Sequence, residues 1–265
     1  MRPCSDKDFE WIQSGVSQLL SREAPNWKGN FVSHLVPPRF EAYAKILHRI
    51  TASYENIDNP LSEREIALLR IPPCTELRSF VNDLRSRGEG PRIRWEKLAG
   101  LLGVPFESEI CHEWFRASLS DPTCWPRFLC GPDEGNLDSE ELSEVLSLLR
   151  VFTGEEECFL RFATVPFAGT DRPILFAGAL DEVVGFLKEN DYQFSPEYLW
   201  PSDKSWCLCS DYDLMFTIVA GPKNLISAVL SSSTLESLEV NQHTRIDSHV
   251  PIPKLPLDPH RSGNR

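Results

Sequence analysis

The sequence predicts an α+β fold, a mainly antiparallel sheet packed by helices, with a helical segment around residues 60–120. Three observations carry this. Stretches with helical apolar spacing and capping residues alternate with short aromatic and β-branched runs. Two runs, Trp206–Ser210 and Asp213–Val219, are parted only by Asp211-Tyr212, and so short a connection joins antiparallel strands. Hydrophobic residues make up 41 % of 265, with seven Trp and fifteen Phe, enough to bury a sizeable core and to exclude a wholly disordered chain.

The first helix follows from Ser5 as a cap, Asp8 three residues on, and Phe9, Ile12, Val16, Leu19 and Leu20 at helical spacing. Phe31 to Val36 then predicts a strand that Pro37-Pro38 stops. Tyr43 to Ile50 predicts a second strand, a helix being the alternative; Tyr43, Lys45 and Leu47 oppose Ala44, Ile46 and His48. The capping box Ser62–Glu65, the stripe Leu77, Phe80, Val81 and Leu84, and the segments RWEKLAGLLG and SEICHEWFRASL supply the helical part.

Asp121 to Gly135, rich in Pro and Gly, is expected to be a loop and a sub-boundary of the domain. Beyond it, Asp138 and Glu141 cap a helix carrying Leu142, Val145, Leu146, Leu149 and Phe152. Strands are expected at Cys158–Val165, Arg172–Leu180 and Leu235–Val240, and helices in DEVVGFLKEN and after Gly221-Pro222. The whole is expected to be one domain over 1–246, followed by a Pro-rich flexible tail over 247–265.

Charge narrows the function classes. With 27 basic and 39 acidic residues the net charge is −12. Nucleic-acid affinity comes largely from Lys and Arg neutralising phosphates, so a nucleic-acid partner is not expected. The one basic concentration, Leu84 to Lys97, reads as a solvated loop between helices. No apolar run approaches the roughly 20 residues that cross a bilayer, and MRPCSDKDFEWIQ carries charges where an export signal needs an apolar stretch. The expectation is therefore a cytoplasmic, non-membrane protein, a monomer or weak dimer, whose partner is a basic protein. The eight Cys are expected to be reduced thiols without zinc spacing; no metal and no cofactor is predicted.

The hairpin tests one rival idea directly, because it holds Cys207, Cys209, Asp211 and Asp213. Pairing Cys209 with Leu214 puts Cys207, Cys209, Leu214, Phe216 and Ile218 on one apolar face, which makes both thiols core residues rather than ligands. The other face then carries Trp206, Leu208, Ser210, Asp213, Met215 and Thr217. Asp213 is expected to cap the turn, or else to anchor a ligand together with Asp203.

The strings WPSDKSWCLCSDYDLMFTIVAG, NLISAVL and LESLEV, with LVPPRFEAYAKILHRI and RWEKLAGLLG earlier, resemble an uncharacterised family of bacterial hypothetical proteins. The resemblance rests on Trp200, Pro201, Asp203, Lys204, Trp206, Asp213, Thr217 and Gly221, and on Phe40, Tyr43, Leu47 and His48. It covers a discontinuous half of the chain, and Glu55 to Arg87 reads as an insertion. It implies a single bacterial cytoplasmic domain. The family has no established activity, so it implies no catalytic residue.

Among the other candidates, His48 lies on an otherwise apolar segment, where a structural role is commoner than a base. His34 approaches it only if the two predicted strands pair. His112 adjoins Cys111, but helix neighbours point apart, which argues against a dyad. There is no GxSxG, P-loop or GxGxxG. The expected function is thus a non-enzymatic protein-binding module, immunity- or antitoxin-like in one form. The alternative is an enzyme or small-molecule binder using the Trp206/Asp213/Thr217 face. The binding candidates are Asp203, Trp206, Asp213, Thr217, His48 and Tyr43.

Overall fold

A computed structural model describes residues 1–17, 27–52, 92–118, 129–162, 174–190 and 195–247. These belong to two compact units, one formed by 1–49 with 132–246, the other by 50–131 with 247–265. The second crossing point falls inside the expected loop boundary. The 55–87 segment and nearly all of the Pro-rich tail lie outside the described residues.

The first unit is built on an eight-stranded sheet, antiparallel throughout. Its strands are β1 (Arg2–Pro3), β2 (Ala42–Leu47), β6 (Cys158–Phe162), β7 (Ile174–Gly178), β8 (Tyr198–Pro201), β9 (Cys207–Cys209), β10 (Phe216–Gly221) and β11 (Ser237–Val240), in the spatial order β1-β7-β6-β8-β9-β10-β2-β11. The helices of this unit are α1 (Glu10–Gly15), α4 (Ser139–Thr153), α5 (Val183–Glu189) and α6 (Lys223–Ser231). With two helices in the other unit and its small sheet, the fold is α+β, and the sheet is mainly antiparallel as the sequence predicts.

Side-chain alternation divides the large sheet into two faces. One face presents Ala44, Ile46, Cys158, Leu160, Phe162, Leu199, Trp206, Leu208 and Val219. It meets Leu142, Val145, Leu146 and Leu149 of α4, Val183 and Leu187 of α5, and Leu225, Ile226 and Val229 of α6 in one continuous core. The apolar stripes legible in those helices are what cover it. Asp138 caps α4 as expected, its Oδ1 accepting from the amides of Glu140 (2.8 Å) and Glu141 (2.9 Å).

The opposite face is covered by the N-terminal segment. The Phe9 ring lies 5.0 Å from that of Tyr198 and 5.8 Å from that of Trp200. The Tyr198 hydroxyl donates to the carbonyl of Leu35 at 2.9 Å, so its polar end is satisfied inside the core.

The second unit has a three-stranded antiparallel sheet in the order β4-β3-β5, from β4 (Arg92–Ile93), β3 (Ile50–Ala52) and β5 (Leu129–Cys130). Its helices are α2 (Trp95–Leu102) and α3 (His112–Ser118). Trp95 and Phe115 pack with ring centroids 5.1 Å apart, and Gly103, at φ 66°, closes α2 in the left-handed conformation that glycine favours.

Several expectations are corrected. Phe31–Val36 is not a strand. Val32–His34 forms a 3₁₀ turn, in which the Phe31 amide donates to Nδ1 of His34 at 2.7 Å and the Leu35 amide to the Val32 carbonyl. A side chain bonding its own local backbone competes here with sheet pairing. The first helix starts as a 3₁₀ turn at Asp6–Phe9 and ends at Gly15, with Val16 already extended. Leu129–Cys130, expected in a loop, is a short strand; β1 and β8 were not foreseen. The hairpin register also differs: Cys209 pairs with Ile218 and Cys207 with Ala220. The shift is four residues, an even number, so the side chains within β9 and β10 stay on the faces expected of them, whereas Asp213 and Leu214 lie outside the strand.

Candidate functional site

His48 follows β2 directly, and its amide donates to the carbonyl of Met215 at 3.1 Å. That contact seats the imidazole on the helix-covered face, beside Thr217 of β10 and Ser210 after β9. Nδ1 lies 2.6 Å from the carbonyl oxygen of Asp133, so it must carry the proton and donate. Nε2 is then the acceptor, taking the Thr217 hydroxyl proton at 2.9 Å, and Thr217 Oγ1 in turn lies 2.5 Å from Ser210 Oγ. The three side chains form one directed chain, Ser210 to Thr217 to His48 to the Asp133 carbonyl.

Such a relay is what nucleophilic catalysis uses, but its position argues for a different job. His48 and Thr217 are 0 % exposed and Ser210 1 %. Burial lowers the His48 pKa from 6.5 to about 4, the Asp133 carbonyl and the Asp138 carboxylate pulling weakly the other way. At neutral pH the ring is uncharged, and both nitrogens are occupied by the fold. The arrangement ties the end of β2 to β9, β10 and the 132–138 loop.

Trp206 and Tyr43 are structural in the same sense. Trp206 is fully buried in the helix-side core and donates from Nε1 to Thr153 Oγ1 at 3.0 Å. The Tyr43 hydroxyl accepts from the Phe40 amide at 3.3 Å. Cys207 and Cys209 are buried on the other face, and burial pushes both thiols up, which favours the inert protonated form. Among the described residues no group of three or more His, Cys, Asp or Glu could hold a metal ion.

The aspartates stand apart from that interior. Asp203 is exposed, its Oδ1 accepting from the Ser205 amide at 2.9 Å. The turn between β9 and β10 is closed by Asp211 rather than by Asp213: Asp211 Oδ1 accepts from the Asp213 amide at 3.0 Å. This leaves Asp213 exposed beyond the strand, so Trp206, Asp213 and Thr217 do not share a face. Trp206 and Thr217 look into the core, and Asp213 looks into water.

Between the two aspartates, Tyr212 is 59 % exposed. Asp213, and less strongly burial and Asp211, push its phenol up. The loop bearing Asp133 and Glu134, both exposed, lies against this turn, since the Gly135 amide donates to the Leu214 carbonyl at 2.8 Å. Gly135 has φ +62°, and a Cβ there would lie 2.6 Å from the Cα of Tyr212. Gly135→Ala is therefore expected to lose at least the 1–2 kcal/mol of left-handed strain, with backbone displacement in addition. Chemical denaturation measures the loss.

His34, expected to approach His48 only through strand pairing, is instead engaged with Phe31. His112 contacts Glu113 at 2.6 Å, through Nε2. A partly buried ion pair that sequence reasoning missed joins Arg161 of β6 to Glu197. Burial raises the Glu197 carboxyl to about 7, Arg161 opposing. Arg161 lies within β6 and Glu197 just before β8, 36 positions away, and no local spacing signals the pair.

No family model, curated protein or solved structure matches the chain.

Proposed function

We propose that the chain is a non-catalytic protein-binding module of the bacterial cytoplasm, acting as a monomer or weak dimer, which meets a basic protein through the acidic turn around Tyr212. Masking a basic toxin, as immunity proteins and antitoxins do, is one form of this activity. The observation that carries the reading is the setting of Tyr212: a large, exposed aromatic side chain between Asp211 and Asp213, with Asp133 and Glu134 on the loop packed against it. Tyr is favoured among residues that dominate binding energy, and an acidic surround steers a basic partner into contact. The buried state of His48, Thr217 and Ser210 supports the non-catalytic half of the proposal.

The test compares wild-type protein with a Tyr212→Ala/Asp213→Lys variant as bait in lysate, followed by native mass spectrometry of what stays bound. The expected result is a stoichiometric basic protein, released by moderate salt and held at least tenfold more weakly by the variant; a hot-spot loss of about 2 kcal/mol exceeds tenfold. A retained small molecule or metal in place of a protein, or equal capture by the variant, would overturn the proposal.

A further inference from the structure

A second surface of the same unit gathers two cations on one aromatic ring. Trp11, on α1, is half-buried, and its ring lies 6.2 Å from that of Trp200 and 6.5 Å from that of Phe40, both contacts edge-on. Two cations converge on it. The Arg39 guanidinium carbon is 5.6 Å from the Trp11 ring centre and 5.8 Å from that of Phe40; the Lys204 ammonium is 5.6 Å from the Trp11 ring centre.

Neither cation has a carboxylate within ion-pair distance among the described residues, although acids adjoin the cluster in sequence. Asp203 bonds the Ser205 amide, Glu41 bonds the Lys223 amide at 3.3 Å, and Glu10 is exposed. In a chain of net charge −12, two cations that share one ring and lack a counter-charge stand out. The Trp11 indole N–H is a donor with no hydrogen-bond partner among the described residues.

Lys204 is held in place against its own backbone preference. It is the only non-glycine residue at positive φ among the described residues, at 57°. Its amide donates to the Pro201 carbonyl at 2.9 Å, and the next amide, that of Ser205, is fixed by Asp203. A left-handed lysine is disfavoured by the clash of its Cβ with the following carbonyl, and such outliers persist where surrounding contacts determine them. The turn that imposes this conformation is also what carries the ammonium to Trp11.

We infer that Trp11, Arg39 and Lys204 form a binding site for a carboxylate carried on an apolar body, with Phe40 extending the aromatic surface beneath it. Each cation lies 5.6 Å from the centre of the Trp11 ring, and charge-assisted hydrogen bonds from them to a carboxylate supply the attraction. The rings take up the apolar part of the ligand. The ligand is either a small carboxylic acid or an acidic residue beside an aromatic one in a peptide; both present the same chemistry. This site uses none of the residues of the Tyr212 turn and stands or falls independently of it.

The test follows the Trp11 indole N–H by ¹H–¹⁵N NMR at low salt, with the peak assigned through Trp11→Phe. The probes are phenylacetate, the peptide acetyl-Phe-Glu-Glu-Phe-amide, and inorganic phosphate, an anion without an apolar body. A saturable shift is expected with the carboxylates at millimolar or lower concentration. Affinity is expected to be at least tenfold lower in Arg39→Gln/Lys204→Gln, an unchanged melting temperature certifying the fold. Arg39→Gln alone, at an exposed position, reports the same loss in part. Tighter binding of the peptide than of phenylacetate identifies a peptide ligand, and the reverse a small molecule. No shift with either carboxylate, an equal shift in the double variant, or phosphate binding as tightly as both would overturn the site.

Discussion

Trp206→Ala is expected to lower the unfolding free energy by about 3–5 kcal/mol, the range for truncating a large aromatic side chain in a packed core. Trp206 is 0 % exposed and belongs to the cluster with Leu208, Leu149, Val219 and Leu225. Its removal leaves a cavity under α4 and α6 and deprives Thr153 Oγ1 of a donor, although that hydroxyl keeps its bond to the Leu149 carbonyl at 2.8 Å. Gly221 lets the tryptophan fit, since a Cβ there would lie 3.1 Å from Trp206 Cβ. A fall in melting temperature of about 10 °C or more is the readout. A change within 1–2 °C would mean that Trp206 does not support the core in this way.

The second large effect is a dependence of stability on pH that belongs to His48. Its folded pKa, about 4, lies below the ordinary 6.5. The unfolded chain therefore binds the proton more readily, and stability rises with pH where the two states differ in protonation. The contribution is fully present above pH 6.5 and is lost as pH falls from there through about 4. The difference in pKa corresponds to roughly 3 kcal/mol.

Glu197 opposes this. Its carboxyl is raised to about 7, so its contribution is present below the ordinary carboxyl value and is lost as pH rises through about 7. The two slopes offset each other in the wild type, and the His48 share appears in a difference. In Glu197→Gln, stability measured by urea unfolding should climb from pH 4 to 6.5; in His48→Gln it should not. Parallel profiles for the two variants would contradict the assignment.

These two residues also show where the sequence is legible and where it is not. Trp206 and Thr217 could be assigned to one face by period-2 alternation alone, and that assignment survives a four-residue error in register because four is even. The stripe in α4 and its Asp138 cap are local patterns and were legible at full length. A structural role for His48 was expected, but what satisfies its ring was not legible. It depends on Asp133, 85 positions away, meeting the imidazole with a backbone carbonyl, an atom that no residue type advertises.

The same holds for the aspartates of the hairpin. Composition marks Asp211 and Asp213 equally, and only the turn geometry makes one a cap and leaves the other in water. Phe31–Val36 failed for a related reason: its apolar content suits a strand, but His34 offers the backbone a nearer acceptor. The Trp11, Arg39 and Lys204 cluster joins three distant segments and had no local signal. Its one trace in the chain is Lys204, whose left-handed conformation a sequence does not reveal.

Ser210, Thr217 and His48, the side chains best suited to chemistry, are bonded to one another and buried. The most direct measurement is an NMR titration of the His48 imidazole in the wild-type protein between pH 5 and 8. The expected result is the shifts of a neutral ring protonated at Nδ1, unchanged across that range. A midpoint near 6.5, with the rest of the spectrum native, would reveal a ring open to solvent and available as a base, and would contradict that burial.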